Sequence, residues 1–229
     1  MILFIQENIP LLNEAVSSKK TLSIYSLIAD GGLGGQLIIA LLFILLIVAL
    51  YIYFERFFAI LAASKIDENF MNQIKSDVSD GNLAAANALC KSKNTPTARL
   101  IGKGISRIGK PLDDINTAIE TAGKLEVYQL EKNVSVLATI AGAAPMIGFL
   151  GTVIGMIVAI HEIANAGGQI DIKLLSDGLY TAMTTTVAGL IVGIIAYITY
   201  NHLVVRTDKV VYQMEAKSVE FLDLLNDPA

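Results

Sequence analysis

Hydroxyl side chains interrupt two long apolar runs of this chain, residues 134–160 and 178–205. They are the residues of this sequence whose types and spacing could most clearly support chemistry. Thr152 lies eight residues before the end of the first run, and Thr186 lies eight residues after the start of the second. Eight helical residues rise about 12 Å, so the two hydroxyls should lie at similar depth if the runs form antiparallel helices. Thr181 and Asp177 lie about one and two turns before Thr186, and Asp177 directly precedes the second run. Because polar groups inside a membrane often mark ion routes, the sequence predicts a polar path.

Three consecutive threonines strengthen this prediction. Thr184, Thr185 and Thr186 are about 100° apart on a helix, so at least one must face away from lipid. A single threonine means little, because its hydroxyl can bond to a carbonyl one turn back. We therefore expect a path formed by Thr152, Thr181, Thr185, Thr186 and Asp177. Neither run contains an internal carboxylate, so proton movement would need a titratable group from another chain.

The same runs carry small residues that allow helices to pack closely. Each run has one pair of glycines four residues apart, Gly151 with Gly155 and Gly189 with Gly193. The residues expected to pack helices together are Pro145, Gly148, Gly151, Gly155, Gly189 and Gly193.

No motif for chemical catalysis is present. His161-Glu162 begins a zinc-like H-E-x-x-H pattern, but Asn165 replaces the second histidine. No phosphate-binding loop and no nucleophile motif occurs, and the single cysteine excludes an intrachain disulfide or a cysteine-cluster metal site. We expect neither an enzyme nor a bound metal or cofactor.

The composition indicates what kind of molecule carries these residues. Hydrophobic residues make up 54% of the 229 residues and charged residues only 17%, with a mean hydropathy of +0.59. This is too apolar for a soluble domain or a disordered chain. A net charge of −4 argues against a nucleic-acid partner. The numbers predict an integral membrane protein in contact with lipid.

Three runs are long enough to cross a membrane, namely 37–54, 134–160 and 178–205. The alternative, buried core helices, would need a larger soluble shell than this chain has. The predicted fold is an all-α membrane protein with three transmembrane helices and long helices that extend into a cytoplasmic helical domain.

Lysine and arginine near the ends of the spans predict the orientation. Of the basic residues nearest the spans, seven lie on the side of residues 55–133 and 206–229, and three lie on the other side. Residues 55–133 are therefore expected to form a cytoplasmic helical domain, and 206–229 a cytoplasmic helical tail. Residues 1–36 and 161–177 are expected outside the cytoplasm, in the periplasm.

Several local predictions complete this layout. Residues 8–29 could form an interfacial helix, followed by a flexible glycine break at 31–35. Gly81, Thr95-Pro96 and Gly109-Lys110-Pro111 should separate the cytoplasmic helices. The lack of proline between Leu112 and Pro145 predicts one helix rising into the second span, and the third span should continue into the tail. An approximate heptad seam in that tail, including Met214 and Phe221, could pack within the domain or join two copies.

Two motifs resemble those of a known family. The segment 144–156, which reads APMIGFLGTVIGM, closely resembles the second-span motif of the ExbB/TolQ/MotA family, and its ExbB branch in particular. The segment TTVAGL at 185–190, followed by Tyr200-Asn201, resembles the third-span motif, and Phe54-Glu55-Arg56 also fits.

The resemblance implies a proton-driven motor. ExbB proteins form a pentamer in the bacterial inner membrane around single-span ExbD helices, each of which carries an intramembrane aspartate. Proton flow then drives TonB, which opens outer-membrane transporters. The pore threonines of the family correspond to Thr152 and Thr186. Many members carry a glutamate where this chain has Thr181, so either the partner's aspartate suffices or Asp177 takes part.

The sequence leaves two other functional hypotheses open. The chain could serve a related motor, TolQ-like for envelope maintenance or a gliding or secretion motor. From another class, it could be a structural membrane scaffold, which needs packing glycines but no threonines matched in depth.

Overall fold

A computed structural model of the chain describes residues 32–65, 68–165 and 172–226, and this part contains helices and no strand. The helices are α1 Gly32–Ala63, α2 Glu68–Ser79, α3 Leu83–Lys93, α4 Pro96–Ile105, α5 Leu112–Leu130, α6 Val134–Asn165 and α7 Ile172–Asn226. The predicted interfacial helix at 8–29 lies outside the described residues. The all-α fold class is confirmed.

Three of these helices are long and apolar enough to cross a membrane, over Gly34–Ala63, Val134–Asn165 and Gly178–Asn226. Large apolar side chains such as Phe43, Phe149 and Ile198 are each about 60% exposed on them. Exposed apolar surface of this kind would be unfavourable in water and is suited to lipid or another helix. The chain is a membrane protein.

The chain divides into two compact units, which we describe separately. Unit 1 comprises Met1–Leu41 and Ile147–Ala188, of which residues 32–41, 147–165 and 172–188 are described. Unit 2 comprises Leu42–Met146 and Gly189–Ala229.

Short helices in unit 2 begin and end at residues with suitable chemistry. The side chains of Asn82 and Thr95 accept hydrogen bonds from main-chain N–H groups in the first turns of α3 and α4. Such caps satisfy donors that the helix itself leaves unpaired. Gly81 and Gly109 have φ angles of +74° and +95°, a conformation that favours glycine. The boundaries that the sequence predicts for these short helices are therefore confirmed.

Apolar side chains from the short helices and from α7 form the core of unit 2. Ile74, Ile101 and Ile119 are almost fully buried, and so is Phe221 near the end of α7. A Cβ added to Gly104 of α4 would lie 2.6 Å from the Phe221 ring, so the ring packs where α4 has no side chain. Met214 is also buried. These two seam residues of the tail thus pack within the chain, as the first of the two readings proposed.

Hydrogen bonds from Arg99 link α4 to α5 and to the residue that ends α3. Arg99 of α4 donates through Nε and Nη2 to both carboxylate oxygens of Glu126 in α5, at 2.6 and 2.5 Å. Its Nη1 donates to the main-chain oxygen of Asn94, which ends α3, at 2.7 Å. The hydrogen bonds to Glu126 raise the pKa of Arg99. Two-pronged arginine–carboxylate pairs fix geometry as well as charge.

Two local predictions were wrong. The chain from Leu112 does not form one helix into the second span, because α5 ends at Leu130 and α6 begins at Val134. Asn133, with a φ angle of +64°, adopts the left-handed conformation, which interrupts a right-handed helix. The third long helix, by contrast, continues into the tail as predicted.

The second error concerns the glycine run before the first span. Gly32, Gly34 and Gly35 lie in the first turn of α1 rather than in a break. A Cβ on Gly35 would lie 2.9 Å from the Thr181 methyl carbon, and one on Gly34 would touch Ile154 at 3.8 Å. Glycine is needed at Gly35 because another helix approaches closely, and this need outweighs the low helix propensity of glycine.

Candidate functional site

The hydroxyls of Thr152 and Thr186 meet in unit 1. Their oxygens are 2.9 Å apart, a hydrogen-bond distance between α6 and α7. Both side chains are half-buried. Counting from the ends of the apolar runs placed the two residues at similar depth, and the structure brings them into direct contact.

Each hydroxyl also reaches a main-chain carbonyl of α6. Thr152 Oγ1 is 2.7 Å from the carbonyl oxygen of Phe149, and Thr186 Oγ1 is 3.2 Å from that of Gly148. A hydroxyl has one hydrogen to donate, so two hydrogens serve three contacts.

Two hydrogen arrangements keep the two threonines linked. In the first, Thr152 donates to Phe149 and Thr186 donates to Thr152. In the second, Thr152 donates to Thr186, and Thr186 donates to Gly148. One of the three contacts always lacks a hydrogen, so switching between the arrangements requires only hydroxyl rotation. The pair can accept a hydrogen bond through a free lone pair or can turn one hydrogen toward a new acceptor.

The neighbouring threonines have other surroundings. Thr185 is fully buried, and its hydroxyl is 2.8 Å from the Ala182 carbonyl oxygen and 3.3 Å from that of Gly148. Thr184 donates to the Tyr180 carbonyl of its own helix at 2.9 Å. Thr181 is half-buried beside Gly35. The structure thus places Thr185 between helices rather than with the half-buried Thr152 and Thr186 pair.

Asp177 belongs to α7, but its side chain lies outside the described part of the structure. Its expected role in the path therefore stays a prediction.

Small residues allow α6 and α7 to approach closely enough for the threonines to meet. A Cβ on Gly151 would collide with the side chain of Thr185, and one on Gly155 would lie 3.1 Å from the Ala182 Cβ. Gly178 faces Ala159 in the same way, at 2.5 Å. Within unit 1, the glycines therefore set the separation of the two helices.

Unit 2 has a similar contact. Pro145 has no N–H to donate within α6, and a Cβ on Gly193 of α7 would lie 2.6 Å from the Pro145 ring and 3.2 Å from the Ala141 carbonyl oxygen. Gly189 of unit 2 is buried, and so is Gly148 of unit 1.

Sequence reasoning missed two features of the site. The carbonyl of Gly148 is an acceptor for α7 hydroxyls, and Gly178 pairs with Ala159. The spacing of Ala159 from Gly155 and of Gly178 from Ala182, four residues in each case, carried a signal for the second feature. Main-chain acceptors leave no such signal in the sequence.

Other reactive side chains do not gather at a site in the described ranges. No group of three or more histidine, cysteine, aspartate or glutamate residues is placed there to hold a metal ion. His161 Nε2 lies 3.1 Å from the amide nitrogen of Asn165 on the exposed end of α6. Cys90 is buried, and this burial raises the pKa of its thiol to about 11.

Comparison with known proteins agrees with this picture. A family model described as the MotA/TolQ/ExbB proton channel family matches residues 92–216, which include the two threonines and the packing glycines. The biopolymer transport protein ExbB of Helicobacter pylori is 39% identical over 79 residues, which cover 34% of this chain and 54% of that protein. ExbB of Aquifex aeolicus is 36% identical over 88 residues, or 38% of this chain and 59% of the relative.

The matches to these two proteins thus span little more than half of each relative's length. The Tol-Pal system protein TolQ of Pseudomonas aeruginosa is 25% identical over 215 residues, which cover 89% of this chain and 93% of that protein.

Proposed function

Because the chain belongs to the MotA/TolQ/ExbB proton channel family, we propose that it is an ExbB-like subunit of a proton-driven motor in the bacterial inner membrane. In this proposal several copies, as a pentamer, surround an ExbD-like single-span partner with an aspartate in its membrane helix. The complex energises a TonB-like protein and thereby transport across the outer membrane. The chain itself performs no enzymatic reaction.

The hydrogen-bonded pair of Thr152 and Thr186 carries this proposal. A carboxyl group that moves protons must be accommodated both as an acid and as a carboxylate. The acid can donate its O–H to a free lone pair on either threonine oxygen. The carboxylate can accept a hydrogen that rotates away from a main-chain carbonyl. The pair can therefore bind both the protonated and the ionised carboxyl group without movement of the helices, so neither form is strongly favoured over the other.

The proton itself would travel on the partner's carboxyl. Residues 134–160 contain no ionisable side chain, and 178–205 contain no carboxylate. A charge in a medium of low dielectric constant is costly unless polar groups surround it. The hydroxyls of the threonine pair supply such groups.

Proton uptake into liposomes tests this role. The chain is purified with the single-span, aspartate-bearing protein that we expect a neighbouring gene to encode, and a pH-sensitive dye reports uptake under an imposed gradient. Thr186→Val removes the hydroxyl at similar volume and should abolish most of the uptake. Thr199→Val is the matched control, because among the described residues Thr199 bonds only to carbonyls of its own helix, at 2.9 Å. Equal uptake by both variants would leave the scaffold reading in its place.

A TolQ-like motor is the second candidate, favoured by the match to TolQ over most of this chain. Expression with the partner in a bacterium that lacks its own ExbB and TolQ separates the two candidates. An ExbB-like chain should restore growth on limiting iron, whereas a TolQ-like chain should restore resistance to detergent.

A further inference from the structure

A histidine links α1 and α7 in unit 2, outside the threonine site. His202 Nδ1 is 3.0 Å from the hydroxyl oxygen of Tyr53 on α1. Its other ring nitrogen, Nε2, lies 2.9 Å from Nε of Arg206, one turn further along α7. The Arg206 guanidinium carbon is 4.8 Å from the centre of the Phe57 ring, so this residue also contacts α1. All four side chains are half-buried.

Arginine determines which nitrogen of His202 carries the hydrogen. The guanidinium group only donates hydrogen bonds and stays charged at any physiological pH. Nε2 must therefore accept from Arg206 with its lone pair, which leaves the hydrogen of a neutral ring on Nδ1. The Nδ1–H group then donates to the Tyr53 oxygen. The observed contacts require a neutral histidine with its hydrogen on Nδ1.

We propose that His202 is a proton-sensitive latch, which holds Arg206 against α1 only while the imidazole is neutral. Protonation places a second N–H on Nε2, which then points at the N–H of Arg206. An attractive contact becomes a repulsive one between two cations, whereas the bond from Nδ1–H to Tyr53 can remain. In general, histidine is the side chain that changes charge near physiological pH.

The neighbouring groups favour a neutral ring. On α1 the ionisable residues nearest in sequence to Tyr53 are Tyr51 and the Glu55–Arg56 pair, in which the carboxylate is already bonded to Arg56. Arg56 also donates to the Gln129 carbonyl of α5 at 3.0 Å. The α6 helix has no ionisable side chain from Val134 to Ile160, and on α7 the partner is Arg206. Among the described residues, His202 contacts Tyr53, Phe57 and Arg206, and none of these is a carboxylate that could compensate a cationic ring.

The latch is distinct from the threonine site. The threonine pair belongs to unit 1 and His202 belongs to unit 2, and the two sites share no residue. The inference does not depend on the proposed motor function.

Nitrogen-15 NMR of the full chain tests the assignment of the hydrogen. The chain has two histidines, so His161→Gln with labelled histidine leaves one pair of ring signals. At pH 7.5 we expect the neutral form with hydrogen on Nδ1. A neutral ring with hydrogen on Nε2, or a cationic ring at this pH, would overturn the proposal.

Thermal unfolding at two pH values tests the switch. Arg206→Gln should lower the melting temperature at pH 7.5 by about 2–4 °C, the shift expected for one such contact in a chain of this size. At pH 5.5 the loss should be smaller, because protons bind the imidazole of the unfolded chain and oppose the neutral ring that this contact requires. Lys209→Gln, which removes an exposed charge from the same helix, is the control, and its effect on the melting temperature should be the same at both pH values. An equal loss from Arg206→Gln at both values would show that His202 does not switch.

Discussion

The hydroxyl groups of Thr152 and Thr186 lie at hydrogen-bond distance and can act as one unit. This coupling determines how much the loss of either hydroxyl should slow proton uptake. Thr152→Val should assemble normally and slow proton uptake by roughly 5- to 150-fold, since an unsatisfied polar partner costs about 1–3 kcal/mol. The double variant with Thr186→Val should be little slower than the slower single variant, because coupled residues are not additive. Proton uptake, with the abundance of the complex as control, measures this. Additive losses would mean that each threonine acts on a different group.

Thr181 should tolerate change better than the pair. This position carries no acid, and the Thr181 methyl group packs beside Gly35. We expect Thr181→Ala to keep substantial growth on limiting iron at normal protein levels. Thr181→Ser, which keeps the hydroxyl, is the companion variant. Complete loss with alanine and recovery with serine would show that the hydroxyl is required.

At the scale of helices, glycines with and without close neighbours should behave differently. Gly151→Ala would collide with Thr185 and should destabilise the chain by about 1–3 kcal/mol. Gly142→Ala on the same helix meets nothing within 4 Å and should be neutral or slightly stabilising, because alanine favours helix. Thermal unfolding in detergent compares the two variants. Equal melting temperatures of the two variants would contradict this packing role.

The junction between α5 and α6 should depend on the conformation of Asn133. Asn133→Gly keeps access to its φ angle of +64° and should be tolerated. Asn133→Ile should destabilise the chain by about 1–2 kcal/mol, because a β-branched residue is strained there. Chemical denaturation of the two variants gives the difference. If isoleucine is tolerated as well as glycine, the left-handed turn is not required.

These elements also show what the sequence could reveal. Helix boundaries in residues 68–112 were predicted because Gly81, Thr95 and Pro96 act through local chemistry. The turn at Asn133 was missed because no glycine or proline marks it, and asparagine also occurs within helices. The position of Gly35 in α1 was missed because glycine favours a break locally, whereas its contact with Thr181 is distant in sequence.

Depth along two antiparallel helices follows from counting residues, so Thr152 could be matched with Thr186. The second bonds to Phe149 and Gly148 could not be predicted, since they depend on helix rotation.

For the whole molecule, the proposed orientation places the turn at 106–110 and the end of α7 in the cytoplasm. Trypsin added to cells without an outer membrane should leave the chain uncut after Arg107, although this residue is exposed. Cleavage should appear once the inner membrane is permeabilised. A fluorescent protein fused after Ala229 should fluoresce, as such fusions do in the cytoplasm. Cleavage in sealed cells would reverse the orientation.

Burial of Cys90 has a practical consequence for spectroscopy. With a thiol pKa of about 11, roughly one molecule in ten thousand carries the thiolate at pH 7. Maleimides and spin labels react with the thiolate, so the natural sequence should remain almost unmodified. A cysteine introduced at an exposed position such as Tyr212 or Val219 would then react alone. Probe distances could be measured without replacing Cys90, whose Cβ lies 3.3 Å from where a Cβ on Gly102 would be.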